Sequence, residues 1–229
     1  MSDIIRRTVK SFILRQGRLT QGQQRALAQQ WPLFGIDFTP QPLDFNSLFG
    51  NQQPVILEIG FGNGDSLAQM ARENPQQNFI GIEVHRPGVG HLLHLIQQYE
   101  ITNLRVMNHD AIDILHQQIA ENSLSRVQLY FPDPWHKTKH NKRRIVQPAF
   151  LDRLAQLLNK DGQIHFATDW HDYAKHMMKT LENHPQFSNQ AGNFEFSPKP
   201  DYRPTTKFER RGQKLGHGVW DLIFSVNKD

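Results

Sequence analysis

From residue 54 onward, short apolar runs alternate with helical stretches at a spacing that admits few folds. VILEI (55–59), NFIGIEV (78–84), LRVMN (104–108), RVQLYF (126–131) and QIHFAT (163–168) read as strands, and HGVWDLIFSVNK near the end supplies another. Helical spacing fills 65–73, 90–99, 111–120, 148–159 and 170–182. Such alternation predicts an α/β fold with a parallel, doubly wound sheet covered by helices on both faces. Ligands of that architecture sit outside the carboxyl ends of the strands, where the strand order reverses.

Acids fall at those ends. Glu58, Glu83, Asp110 and Asp133 lie at or just beyond four successive strands, 25, 27 and 23 residues apart, about one strand–helix unit each. A parallel sheet lines all four along one edge. Between the first strand and its helix stands Gly60-Phe61-Gly62-Asn63-Gly64, where glycines permit a tight turn and close approach of a ligand to backbone amides. The spacing G-x-G-x-G differs from the dinucleotide pattern G-x-G-x-x-G. Glu83 is placed to accept both ribose hydroxyls, Asp110 an adenine amino group, and Glu58 an ammonium. A cationic amino acid joined to adenosine, S-adenosylmethionine, suits this edge better than a pyrophosphate. Capping a helix is the alternative use of Asp110.

Phe131-Pro132-Asp133-Pro134-Trp135-His136 runs straight on into Lys137, Lys139, Lys142, Arg143 and Arg144. An acid pinned between two prolines beside a dense basic loop fits a protein that grips a polyanion by its phosphates and presents one base to a reactive group. The net charge is only +4, yet 17 of the 26 Lys and Arg lie in residues 1–25, 136–144 and 199–214, which hold three acids. A positive face on an otherwise acidic body is the electrostatic footprint of a nucleic-acid binder.

At 229 residues and 38% hydrophobic content the chain can bury one large core. No run approaches the roughly 20 apolar residues of a membrane span, and the amino terminus does not read as a secretory signal. With no Cys, disulfides, thiolate metal sites and cysteine nucleophiles are excluded, in agreement with a cytoplasmic protein. Twelve His, including His91 and His94 at i, i+3, lack the Cys or paired carboxylate that would complete a metal site, so no metal is expected. Residues 1–53 are basic and Gln-rich, then broken by Pro32, Pro40 and Pro42. They predict a partly mobile basic arm and lead-in ahead of a catalytic domain over 54–229.

The motifs EIGFGNG (58–64), IGIEV (80–84), FPDPWHKTKHNKRR (131–144), ATDW (167–170), RPTTKFERRG (203–212) and GHGVWDL (216–222) strongly resemble those of the tRNA (guanine-N7)-methyltransferases. The resemblance runs from about residue 54 to the end. It implies the Rossmann-like, mostly parallel, seven-stranded class I methyltransferase fold. It also implies methyl transfer from S-adenosylmethionine to N7 of a guanine in the tRNA variable loop, with S-adenosylhomocysteine as product. Cofactor contacts are implied at Glu58, Gly60, Gly62, Gly64, Glu83, Asp110 and Asp133, and substrate contacts at Lys137, Asp169, Thr206, Lys207, Phe208 and Glu209. Contacts to the tRNA itself are implied at Lys139, His140, Asn141, Lys142, Arg143 and Arg144. The partner is then tRNA, with neither a membrane nor an obligatory protein partner. His-Lys-Thr-Lys after Trp135 departs from relatives, in which a proline and an arginine are common; Lys139 keeps the charge but not the planar fork of Arg.

Guanine N7 offers an in-plane lone pair and carries no proton at neutral pH. Its methylation needs orientation and a suitable field, not a general base. Asp133 is the candidate catalytic group, because its charge favours the cationic product. An aspartate can alternatively accept from guanine N1–H and the 2-amino group, selecting guanine over adenine. Trp135 and Phe208 either stack on a base or cofactor or pack in the core. Three rival readings stand beside this one. Methyl transfer to an exocyclic amine is suggested by Asp133-Pro134-Trp135, an NAD-dependent oxidoreductase is disfavoured by the glycine spacing, and a non-catalytic RNA binder is disfavoured by the intact acidic edge.

Overall fold

The apolar runs become strands that are covered on both sides, and Val55–Ile59 and Asn78–Ile82 are buried throughout. A computed structural model describes residues 10–12, 17–206, 209 and 218–228. Lys207 and Phe208 lie outside the described residues, as do residues 1–9 and 13–16 of the basic arm. In chain order the elements are α1 (Gln21–Phe34), β1 (Gly35–Ile36), α2 (Phe45–Phe49), β2 (Val55–Ile59), α3 (Asp65–Glu73), β3 (Asn78–Ile82), α4 (Arg86–Gln98) and β4 (Leu104–Met107). There follow α5 (Ala111–Gln117), β5 (Leu124–Tyr130), a 3-10 helix (Thr138–Arg143), α6 (Pro148–Leu157), β6 (Leu158–Thr168), α7 (His171–Glu182), β7 (Phe187–Asn189) and β8 (Trp220–Val226).

The strand order is β1-β4-β3-β2-β5-β6-β8-β7, parallel from β1 to β6, with β8 antiparallel to β6 and β7 antiparallel to β8. Eight strands replace the seven expected. The short edge strands β1 and β7 have two and three residues, too few for an alternation to register. Side chains of β2 alternate between two cores: Leu57 and Ile59 face α5, α6 and α7, while Ile56 faces α1, α3 and α4. Glu58 shares the face of Ile56.

Residues 20–53, expected to belong to a partly mobile basic arm and lead-in, are built into the fold. Thr20 and Gln23 form a reciprocal capping box, Gln23 N–H to Thr20 Oγ1 at 3.2 Å and Thr20 N–H to Gln23 Oε1 at 2.8 Å. The helix so started lies against α4 at Gly90, where an added Cβ would stand 2.9 Å from Gln23 Cβ. Gly35 and Ile36 then pair with Val106 and Met107. The boundary expected at 53/54 is therefore no break in the fold. A Gln-rich composition and Pro32 in the last turn concealed the helix. No helix of the described residues is long and apolar enough to cross a membrane.

Candidate active site

Between β2 and β5 the chain reverses its direction of growth across the sheet, opening a crevice at their carboxyl ends. Acids stand at the strand ends in spatial order: Asp110 after β4, Glu83 after β3, Glu58 within β2, Asp133 after β5 and Asp169 after β6. A cleft of about 230 Å3 is lined by Gly60, Glu83, Asp110, Tyr130 and Asp133, with Ser11 and Phe12 of the amino-terminal segment on its wall. Glu58 does not line this cleft and is itself buried.

The glycine loop is a tight turn with φ of +74° at Gly60, +62° at Gly62 and +79° at Gly64, conformations that oppose any Cβ. Gly62 N–H donates to Glu83 Oε2 at 2.8 Å, while Val84 and His85 N–H donate to Oε1 at 2.7 and 2.9 Å. Three backbone donors thus fix the Glu83 carboxylate at the end of β3. Sequence reasoning missed the braces behind the loop. Gly88 backs onto it so closely that an added Cβ would lie 2.0 Å from the Gly62 carbonyl oxygen. His91 Nδ1 donates to the Asn63 carbonyl at 2.8 Å, and Asn108 Nδ2 to the Glu83 carbonyl at 2.7 Å. A glycine inside an amphipathic helix was the available signal for Gly88.

Asp110 caps α5, its Oδ1 accepting from Ile112 N–H at 3.1 Å, and it also borders the cleft. Lys10 Nζ lies 3.9 Å from its other oxygen. Burial, and then the neighbouring Glu83 charge, push the Glu58 carboxyl up to about 8. Its Oε2 is buried and has no hydrogen-bond partner among the described residues. An open acceptor on a carboxyl held short of cationic company fits a ligand that brings positive charge. At Gly60 and Gly62, just past the end of β2, nothing lies within 4 Å of a Cβ placed on either. These residues fit the ammonium and amino-acid end of S-adenosylmethionine.

Asp133 sits on an exposed turn whose neighbours are held in place. Phe131 and Trp135 adopt φ of +51° and +49°, which for residues with side chains costs about 1 kcal/mol each or more. Phe131 N–H donates to the Ala167 carbonyl at 2.8 Å. Arg144, expected among the phosphate-binding cations, is instead buried. Its Nε donates to the Pro134 carbonyl at 2.9 Å, its Nη2 pairs with Asp172 at the start of α7, and its guanidinium lies over Tyr173. Arg144 clamps the turn. Arg143 stacks on Trp135 at 3.9 Å and donates to the Lys10 carbonyl, and Trp135 Nε1 donates to the Ser11 carbonyl at 3.2 Å. Trp135 is thus neither a core residue nor free for stacking on this face.

Lys137, Lys139 and Lys142 are exposed along the 3-10 helix and its lead-in, with His140 and Asn141 half-buried. Asp169 is exposed at the end of β6. Thr206 and Glu209 form a second capping pair, Glu209 N–H to Thr206 Oγ1 at 3.1 Å, but Glu209 is buried and both its oxygens accept from Arg203 at 2.8 and 3.0 Å. Arg203 also donates to Asp221 at 2.9 Å; Asp221 pairs with His165 at 2.7 Å, and His165 meets Tyr130 OH at 2.9 Å. This buried network joins the Thr206–Glu209 turn to the strand that delivers Asp133. His165 and Asp221 stand inside apolar strands, the one sequence sign that something holds them there. Among the described residues no group of three His or acids is arranged for a metal.

A family model described as "Putative methyltransferase" matches residues 52–222. The tRNA (guanine-N(7)-)-methyltransferase of Hydrogenovibrio crunogenus is 57% identical over 219 residues, covering 96% of this chain and 91% of that protein. A protein of the same name from Alcanivorax borkumensis is 57% identical over 220 residues, covering 96% and 92%. Among solved structures, the 16S rRNA methyltransferase KamB superposes with a TM-score of 0.57 at 13% identity, over 82% of this chain and 95% of that one. An rRNA methylase from Streptococcus thermophilus gives a TM-score of 0.52 at 9% identity, over 77% and 89%. These two likenesses bear on the fold alone.

Proposed function

The chain belongs to the tRNA (guanine-N7)-methyltransferase family, transferring a methyl group from S-adenosylmethionine to guanine N7 of tRNA, and from that premise we propose which residues do the work. The observation that carries the assignment is the meeting of Gly60, Glu83, Asp110 and Asp133 on one cleft at the strand reversal. Glu83, oriented by its three backbone donors, takes the ribose hydroxyls, Asp110 the adenine edge and Glu58 the ammonium. Bound, the cofactor supplies a methyl group on a sulfonium, an electrophile that needs no further activation.

The protein's share is placement and field. Holding two reactants in line contributes on the order of 7–11 kcal/mol to lowering a barrier. Guanine N7 becomes cationic as its lone pair forms the new bond, so the fixed carboxylate of Asp133 favours the transition state over the ground state. Lys137, Asp169 and Thr206 border the acceptor, with Asp169 facing the N1–H and 2-amino edge of guanine. Lys139, Lys142 and Arg143 hold phosphates. Glu209 supports Thr206 from beneath, and its engagement with Arg203 ties that support to the core.

The acceptor is a guanine of the variable loop, and the enzyme acts in the cytoplasm without a protein partner. Incubation with labelled S-adenosylmethionine and unmodified tRNA, followed by nucleoside analysis, tests this reading. Label must appear in 7-methylguanosine from the variable loop. Label in an N2- or N6-methylated nucleoside would favour the exocyclic-amine reading, and label elsewhere in the tRNA would move the acceptor.

A further inference from the structure

Trp170 is a large aromatic left 39% exposed at the carboxyl end of β6. Its neighbours say why an exposed ring belongs there. Ala167 pairs with Tyr130, so the residues after β6 stand beside the turn that carries Asp133. His136, three residues beyond Asp133, meets the Trp170 ring edge-on at 4.2 Å and 73°. Next along the rim, His171 stacks on Trp220 at 4.8 Å, Trp220 pairing with Thr168 across the sheet. Exposed Lys137 follows His136 directly in the chain, with exposed Lys139 two residues on. Planar rings among cations are how proteins hold unstacked bases of single-stranded RNA.

We propose that Trp170, steadied by His136, is a stacking platform for the nucleotide next to the methylated guanine. The inference rests on the tRNA reading above. A guanine presented to a cleft must leave its stack, which costs a few kcal/mol and strips its neighbour of a stacking face. A ring beside the acceptor site replaces that face. The contact is indifferent to which base it meets, since every base has a π-face.

The test crosses protein and RNA. Wild type, Trp170→Ala, Trp170→Leu and Trp170→Phe are assayed on intact tRNA and on tRNAs with an abasic site immediately 5′ or immediately 3′ of the acceptor guanine. On intact tRNA, the Ala and Leu variants raise Kd and lower kcat/KM about tenfold or more, while Phe stays within a few-fold of wild type. On one of the two abasic tRNAs wild type suffers the same loss and Trp170→Ala adds nothing to it, because ring and base form one interaction. Losses that multiply on both abasic tRNAs overturn the platform, as does a Leu variant equal to wild type, which would make Trp170 mere apolar cover. Affinity for S-adenosylhomocysteine and Tm stay unchanged in the Phe and Leu variants, separating stacking from folding. Wild-type transfer to intact tRNA checks the tRNA reading separately: an enzyme that methylates tRNA but shows multiplying losses forfeits only the platform.

Discussion

Replacing Glu58 by Gln removes a charge that the fold resists and that, on the proposed reading, the cofactor ammonium calls for. Below pH 4.5 the carboxyl is protonated in folded and unfolded chains alike and contributes nothing to pH dependence. Above that, the unfolded chain gives up the proton while the folded chain keeps it until about pH 8. The native state then binds more protons than the unfolded one, so stability falls as pH rises through this window. The gap corresponds to about 3 kcal/mol at pH 7, approaching about 5 kcal/mol above pH 8. Glu58→Gln stays neutral and escapes the decline. Urea denaturation of the ligand-free proteins should show wild type losing about 2–3 kcal/mol relative to the variant between pH 5 and pH 7. A ligand ammonium reverses the preference and drives the proton off. Calorimetric titration with S-adenosylhomocysteine in buffers of different ionisation enthalpy should therefore report release of nearly one proton at pH 7 and about half near pH 8. The variant should release none and bind at least tenfold more weakly. Parallel pH–stability curves for the two proteins, or heats independent of buffer, would refute the reasoning.

Asp133→Ala should abolish most methyl transfer while tRNA binding stays near wild type; near-normal turnover in single-turnover assays would remove Asp133 from the mechanism. Lys139→Ala with Lys142→Ala should weaken tRNA binding and make its dependence on log salt shallower by roughly one unit per lysine. Arg144→Ala should instead leave the salt slope unchanged and lower stability by about 2–3 kcal/mol, since the Pro134 carbonyl and Asp172 lose a charged donor; a changed slope with normal Tm would return Arg144 to the RNA surface. Gly88→Ala should push the Gly62 carbonyl out of place and raise the KM for S-adenosylmethionine at least tenfold with little change in the KM for tRNA. Equal effects on both KM values would show a general loss of structure.

The central sheet was legible because burial on both faces writes itself as uninterrupted apolar runs, and β2 and α3 fall on the residues expected. Strand-end acids were legible for a related reason: a carboxylate at the close of such a run has few structural excuses. Helix α1 was not, since its stability comes from contact with α4 and not from its own amphipathic pattern. The start of α4 at Arg86, four residues ahead of the expected 90–99, was hidden by Gly88 and Gly90, which are there for close packing. Charge patterning could not separate Arg144 from its neighbours, because a guanidinium reads alike whether it faces phosphate or a buried carbonyl. Nor could spacing find the Arg203 network, whose members meet from four separate segments.

One short piece of chain carries both Asp133 and the exposed lysines, and Arg144 at its end is bolted to the Pro134 carbonyl beside that carboxylate. On the proposed reading, the lysines that hold phosphate and the carboxylate that faces the base are therefore set relative to each other by one clamped segment, not by separate parts of the fold.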